Sequence, residues 1–136
     1  MAKILVIDDE KSIRNSMKDI LSFEGHEVSI AENGLEGLVA LKTNKPEVVF
    51  CDIKMPKMEG IEVLERIKEI APETSVVMIS GHGTIDTAIE AIKKGAYDFI
   101  EKPLDLNRIL ITIKNATDKS QLLQERQTLK TKVSKK

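Results

Sequence analysis

The sequence predicts an α/β protein: one doubly wound, five-stranded parallel sheet covered by helices on both faces. Three observations carry this. Short, continuously apolar, β-branched runs recur along the chain, and continuous rather than alternating apolarity is the mark of strands buried on both faces. Between them lie stretches with apolar residues at three- to four-residue spacing, and strands alternating with helices imply right-handed parallel crossovers. Finally, several of the apolar runs stop abruptly at acidic, hydroxyl or lysine residues.

The elements follow in order. Lys3 to Ile7 (KILVI) is the first strand, ending in Asp8-Asp9-Glu10. A helix follows, with Ile13, Met17, Ile20 and Leu21 on one side and Gly25 as its C′ residue. Val28 to Ala31 is the second strand. Asn33 N-caps the next helix, with Glu36 placed to complete a capping box, and Leu35, Leu38, Val39 and Leu41 form its apolar side. Lys45-Pro46 breaks the chain before a third strand, Glu47 to Cys51, which delivers Asp52 to its C-terminal lip. Lys54-Met55-Pro56 cannot prolong that strand, because proline has no N–H for the ladder. Gly60 precedes a helix with Leu64, Ile67 and Ile70 inward, stopped by Ala71-Pro72. Ser75 to Ile79 is the fourth strand, ending at Ser80-Gly81-His82-Gly83. Thr84 caps a helix with Ile85, Ala88, Ile89 and Ile92 on one face and Gly95 beyond its end. Tyr97 to Ile100 is the last strand, ending at Glu101-Lys102-Pro103, and from Asp105 onward the pattern is helical.

A chain of 136 residues, 41% hydrophobic and 32% charged, suits one domain with a real core. It has no apolar run long enough to cross a bilayer and no signal-peptide pattern at its start. Cys51 is the only cysteine, so no internal disulfide can form; the expected location is the reducing cytoplasm, with Cys51 a buried core residue. The net charge of −1 divides unevenly: residues 117–136 carry +4 and residues 1–116 carry −5. A basic tail on an acidic domain is explained by a solvated helix face and gives no reason to expect direct nucleic-acid binding.

The strand ends bring together chemistry-bearing residues. Strand one ends in Asp8 and Asp9, strand three in Asp52, strand four in Ser80 and strand five in Lys102. Ligands of open α/β sheets bind at that edge. Singly, each residue has an ordinary explanation as a solvated acid, a helix cap or a surface charge; all five at equivalent positions call for a shared one. Three carboxylates in one crevice repel and raise one another's pKa. A hard divalent cation relieves this, and carboxylates with water suit Mg²⁺, with Mn²⁺ as an alternative. A cation and a lysine together can neutralise a phosphoryl group, and a carboxylate can accept one as an aspartyl phosphate.

The segments Ile7-Asp8-Asp9-Glu10, Asp52-Ile53-Lys54-Met55-Pro56, Gly60, Ser80-Gly81 and Phe99-Ile100-Glu101-Lys102-Pro103 resemble the receiver domain of bacterial two-component response regulators, over residues 3–116. The resemblance implies a flavodoxin-like or CheY-like (βα)5 fold with strand order 2-1-3-4-5. It implies that Asp52 is the phosphoacceptor, that Asp9 ligates Mg²⁺ directly and Asp8 through water, and that the Lys54 carbonyl is a further ligand. Ser80 would engage the phosphoryl group, Lys102 would pair with its oxygens, and Phe99, where tyrosine is more common, would change rotamer with it. Lys102-Pro103 would be a cis peptide. Gly81 keeps access to Asp52 open, while Lys54 and His82 occupy positions that tune hydrolysis of the acyl phosphate. No role is assigned to His26.

The partner so implied is a sensor histidine kinase. The protein would be a phosphoacceptor rather than an enzyme, though one that catalyses its own phosphotransfer and autodephosphorylation. Its output surface would be the fourth helix, the fifth strand and the fifth helix, which would control transcription or dimerisation. Ser80-Gly81-His82-Gly83-Thr84 and Gly95-Ala96-Tyr97-Asp98-Phe99 resemble the NtrC/NtrX-like branch, in which an ATPase domain and a DNA-binding domain that activate sigma-54 transcription follow the receiver. This sequence contains neither, and reads as a receiver over 1–116 with a helical extension over 117–136. In the extension Leu122, Leu129 and Val133 could form a short coiled-coil seam, interrupted by Lys119 and Arg126, as a second route to a homodimer. Three rivals are weaker. A docking module would not need the acid–Ser–Lys set. An aspartate-nucleophile phosphatase would carry a second Asp where Lys54 stands. A flavin binder would want more than one Tyr and three Phe.

Overall fold

The computed structural model describes residues 2–81 and 84–118; His82 and the 119–136 seam lie outside them. The order is β1 (Lys3–Ile7), α1 (Lys11–Phe23), β2 (Glu27–Ala31), α2 (Gly34–Asn44), β3 (Val48–Asp52), α3 (Gly60–Ile70), β4 (Ser75–Ser80), α4 (Ile85–Lys93) and β5 (Asp98–Glu101), then a helix over 106–118, α5. All pairings are parallel, in the order β2-β1-β3-β4-β5. The sheet therefore has the predicted class and order.

Strand periodicity divides the core in two. Leu5, Ile7, Val49, Cys51, Val76 and Met78 face a layer containing Leu41 of α2, Val63, Leu64 and Ile67 of α3 and Ala91 of α4. Their neighbours Ile4, Val6, Val48, Phe50, Val77 and Ile79 face Met17 and Leu21 of α1 and Ile109 and Ile113 of α5. Both faces are covered, which is why these strands are apolar throughout. The chain leaves β1 toward β2 on one side and returns to β3 on the other. The crevice at the C-terminal ends of β1 and β3 is thus the topological switch point, where such folds bind ligands.

Local signals were well placed at the helix ends. Gly25 and Gly95 follow α1 and α4 with φ of +92° and +107°, the left-handed conformation that glycine adopts without cost. Thr84 Oγ1 accepts from the Thr87 N–H at 3.2 Å and Asn33 Oδ1 from the Glu36 N–H at 2.9 Å. Glu36 does not close the expected box: its carboxylate accepts from the Glu32 N–H, one residue before the cap, at 3.4 Å. Asn33 is nearly buried, so Asn33→Ala is expected to cost about 1 kcal/mol, read as a lower urea midpoint at unchanged slope.

Helix faces were read less well. In α2, Leu35 and Val39 are exposed, and the inward line is Gly34, Gly37, Leu38 and Leu41. A β-carbon at Gly37 would collide with the Ile7 side chain, so the helix lies close on β1 through its glycines. Ile20 of α1 and Ile70 of α3 are also exposed, while Val63 is buried. In α4 the expected apolar face is largely open: Ile85, Ile89 and Ile92 are 80%, 47% and 49% exposed, and Ala91 is the buried residue. Helical spacing defines an apolar stripe but not what covers it, and this stripe faces outward.

Candidate phosphoacceptor site

Four strand ends build the site. Asp8 lies just past β1, with its N–H on the Ala31 carbonyl of β2 at 3.1 Å and its own carbonyl held by Arg14 Nη1 of α1 at 2.9 Å. Its Oδ1 accepts from the Glu10 N–H at 2.9 Å, closing an Asx-type turn into α1. Asp52 is the last residue of β3, fixed by the Ile53 N–H on the Ile79 carbonyl at 2.9 Å. Ser80 ends β4, and its carbonyl accepts from the Lys102 N–H at 2.8 Å, which ties the two lips together. The Lys102–Pro103 peptide is cis.

The loop after Asp52 is held tightly. The Met58 N–H donates to the Pro56 carbonyl at 2.9 Å across Lys57, whose φ is +72°: a γ-turn of the rarer, strained sense. The Gly60 N–H then donates back to the Ile53 carbonyl at 2.7 Å. These bonds present Lys54 outward, beside a cavity of about 160 Å³ lined by Asp9, Glu10, Asp52, Lys54, Ser80, Gly81 and Lys102.

Charge is concentrated there. Lys102 Nζ lies 2.9 Å from Glu10 Oε1, 3.1 Å from Asp8 Oδ2 and 3.5 Å from Asp52 Oδ2. Asp8 and Asp52 are buried, and the Asp8 Oδ2 atom makes no hydrogen bond despite its ionic contact with Lys102. Burial, and then the charge of Asp8, push the Asp52 carboxyl up to about 7. Burial also raises Asp8, against the opposing pull of the Glu10 N–H and Lys102. Burial alone would lower Lys102; its contacts with Glu10 and Asp8 and the Asp8 and Asp52 charges outweigh this and raise it. The Cys51 thiol, sealed in the core and beside Asp52 in sequence, is pushed well above its ordinary value by burial, which suits a structural residue.

The sequence-selected Asp8, Asp9, Asp52, Lys54, Ser80, Gly81 and Lys102 therefore meet at one crevice. Phe99 is partly buried and packs against the core layer of α2 and α3. Among the described residues beyond its chain neighbours, a β-carbon at Gly81 would touch only Lys102 Cδ, at 3.7 Å, which leaves room for alanine. Two contributors were not singled out by sequence: Arg14, which grips the Asp8 carbonyl, and Glu10, the carboxylate nearest Lys102. The only signal for Glu10 was its place beside the Asp8-Asp9 pair.

The donor set fits a hard cation. Single oxygens of Asp8, Glu10 and Asp52 lie within 4.8 Å of one another, and one buried carboxylate oxygen lacks a hydrogen bond. Carboxylates, a lysine and a hydroxyl at the switch point of a 2-1-3-4-5 sheet define a phosphoryl-accepting signalling module. Consistent with this, residues 4–114 match the response regulator receiver domain model, and the chain belongs to that family. Among its relatives, the nitrogen assimilation regulatory protein NtrX of Azorhizobium caulinodans is 40% identical over 129 residues, 93% of this chain. The chain spans only 28% of that relative's length. The crystal structure of the receiver domain of NtrX from Brucella abortus superimposes with a TM-score of 0.80 at 45% identity, covering 85% of this chain and 98% of that one. The solution structure of the beryllofluoride-activated NtrC4 receiver domain dimer gives 0.82 at 42% identity, covering 87% and 98%. The chain is thus a two-component receiver domain of NtrX/NtrC-like type. Among the described residues no helix is long and apolar enough to cross a membrane.

Proposed function

We propose that Asp52 is the phosphoacceptor and that a sensor histidine kinase is the donor. The observation that carries this is the buried Asp52 carboxylate at the switch point, with one lysine ammonium shared among Asp52, Asp8 and Glu10. An Asp52 carboxylate oxygen attacks phosphorus in line. The bond from phosphorus to the kinase's histidine nitrogen breaks, and its electron pair leaves with that nitrogen. Lys102 offsets charge on the phosphoryl oxygens, and the Ser80 hydroxyl donates to one of them. Mg²⁺, held by Asp8, Asp9, Asp52 and the Lys54 carbonyl, would supply the remaining positive charge.

Ser80 and Phe99 connect the site to the output surface. Ser80 ends β4, the strand preceding α4, and Phe99 of the neighbouring β5 pairs with Met78 of β4. Drawing Ser80 toward a phosphoryl group shifts the balance between two packings of the α4–β5–α5 face. Those elements carry the exposed Ile85, Ile89 and Ile92 of α4, Ile111 of α5 at 58% exposure, and the Arg108–Asp98 ion pair between α5 and β5 at 2.8 Å. An apolar stripe with a charged border suits a second receiver. An ATPase or DNA-binding segment beyond this chain would be the output, acting in the cytoplasm.

Incubation with acetyl phosphate and Mg²⁺, followed by intact mass, tests the acceptor. A single phosphoryl adduct is expected on the parent and essentially none on Asp52→Asn. An adduct that persists on Asp52→Asn overturns the assignment. A folded, Mg²⁺-binding parent that stays unmodified by both acetyl phosphate and kinase would favour a docking module.

A further inference from the structure

Lys102 has three N–H donors, and three carboxylates surround them in this structure. The ammonium hydrogen-bonds Glu10 and makes ionic contacts with Asp8 and Asp52, and to pair squarely with a phosphoryl oxygen it must turn from one of these three. Two of the three are deeply placed: Asp8 is fully buried and tethered on both its backbone groups, and Asp52 ends a central strand. The third differs. Glu10 Oε1 is the closest, at 2.9 Å, yet the Glu10 side chain is 54% exposed. The helix does not use that side chain, since α1 begins after Glu10 with no side-chain cap bond and relies on the Glu10 carbonyl to accept from Arg14 N–H.

We propose that Glu10 is a positioning residue that latches the Lys102 ammonium beside Asp52 by occupying an N–H the phosphoryl group needs, and that phosphorylation is accompanied by exchange of Glu10 for a phosphoryl oxygen on Lys102. This rests on Asp52 being the acceptor and extends that reading to the unphosphorylated state. The latch holds the ammonium among Glu10, Asp8 and Asp52, so Lys102 is already poised. It also makes the incoming anion compete with a carboxylate for the same donor. A half-exposed ion pair is a weak competitor, so the latch sets a rate and an affinity rather than an absolute block.

The test compares the parent with Glu10→Gln and Glu10→Ala at saturating Mg²⁺. It uses the initial rate of adduct formation with acetyl phosphate, beryllofluoride affinity, and Mg²⁺ affinity by calorimetry. Each measurement is made at low and high ionic strength. Both variants should fold as the parent does, because the Glu10 side chain caps nothing. The latch predicts adduct formation and beryllofluoride binding about fivefold stronger in both variants, with the gain retained at high salt because a direct contact is screened less than a long-range field. Glu10→Asp, too short to reach Lys102 in the same pose, should fall between. A gain that disappears at high salt means general repulsion of anions and overturns the latch. So does unchanged rate and affinity. A loss of rate together with about tenfold weaker Mg²⁺ binding would make Glu10 a metal carboxylate instead, and also overturns it. Failure of the parent itself to take up a phosphoryl group or beryllofluoride defeats the acceptor reading and the latch with it; failure in the variants' ratios alone defeats only the latch.

Discussion

Asp52→Asn is expected to make the metal-free protein more stable at pH 8 by about 2 kcal/mol, while losing the carboxylate proposed to accept the phosphoryl group. The folded Asp52 carboxyl sits near pH 7, against 3.8 as an ordinary aspartate, because burial and the Asp8 charge disfavour its ionised form. Between those values the unfolded chain has released its proton and the folded chain still holds it. The unfolded state therefore binds fewer protons, and this group's contribution to stability falls as pH rises from about 4 to about 7. Asparagine removes that cost, so the variant's advantage should be near zero at pH 4, grow through neutrality and level off by pH 8. The full shift would give a larger figure; solvent screening at the open crevice reduces it. Mg²⁺ should reverse the ranking by stabilising the parent, by about 2.7 kcal/mol at a hundredfold excess over its dissociation constant, and the variant much less. Urea unfolding at pH 4.5 and pH 8, with Mg²⁺ and with chelator, measures all four values. Equal stability of parent and variant at pH 8 in chelator would show that Asp52 bears no such charge cost.

Gly60→Ala is expected to destabilise the fold by about 3 kcal/mol or more. A β-carbon there would clash with the Asp52 carbonyl oxygen and lie 2.6 Å from Ile53 Cα and 2.9 Å from the Asp52 carbonyl carbon. These are backbone atoms of a central strand and cannot move aside as a flexible side chain would. The clash also falls on the residue whose carboxylate forms the site, so surviving folded protein should bind Mg²⁺ more weakly. Gly25→Ala is the contrast. Among the described residues beyond its chain neighbours, no atom lies within 4 Å of its β-carbon, and the left-handed backbone at φ +92° is what opposes it, for about 1 kcal/mol. Denaturant midpoints for the two variants separate steric collision from conformational preference. A Gly60→Ala protein as stable as Gly25→Ala would mean that α3 shifts readily away from β3.

Whether a feature could be read in advance depended on the range of the force that sets it. Asn33, Thr84, Gly25 and Gly95 were recognisable because capping and left-handed turns are settled within four residues of chain. The closing contact of the α2 cap was misplaced by one residue, because a glutamate side chain can reach either Glu32 or Asn33 and local geometry chooses. The central strands β1, β3 and β4 were recognisable because both their faces are buried, but their division into the Leu5–Ile7 layer and the Ile4–Val6 layer needed the helices in place. The stripe of α4 was recognisable but not its direction, since a period is equally satisfied by a core and by a partner.

By itself the sequence determined the alternation of strands and helices, the family, and the five polar residues placed at strand ends. Each follows from local chain chemistry: β-branched runs, helical spacing, and the residues at which each run stops. Only the tertiary structure decided which charges face one another and share a partner. Lys102 joins Glu10 across 92 positions of sequence, and Asp8 lies beside Asp52 because β1 and β3 are neighbours in the sheet. Desolvation and Coulomb interactions depend on distance through space and on exclusion of water. These quantities exist only once the switch point has been assembled.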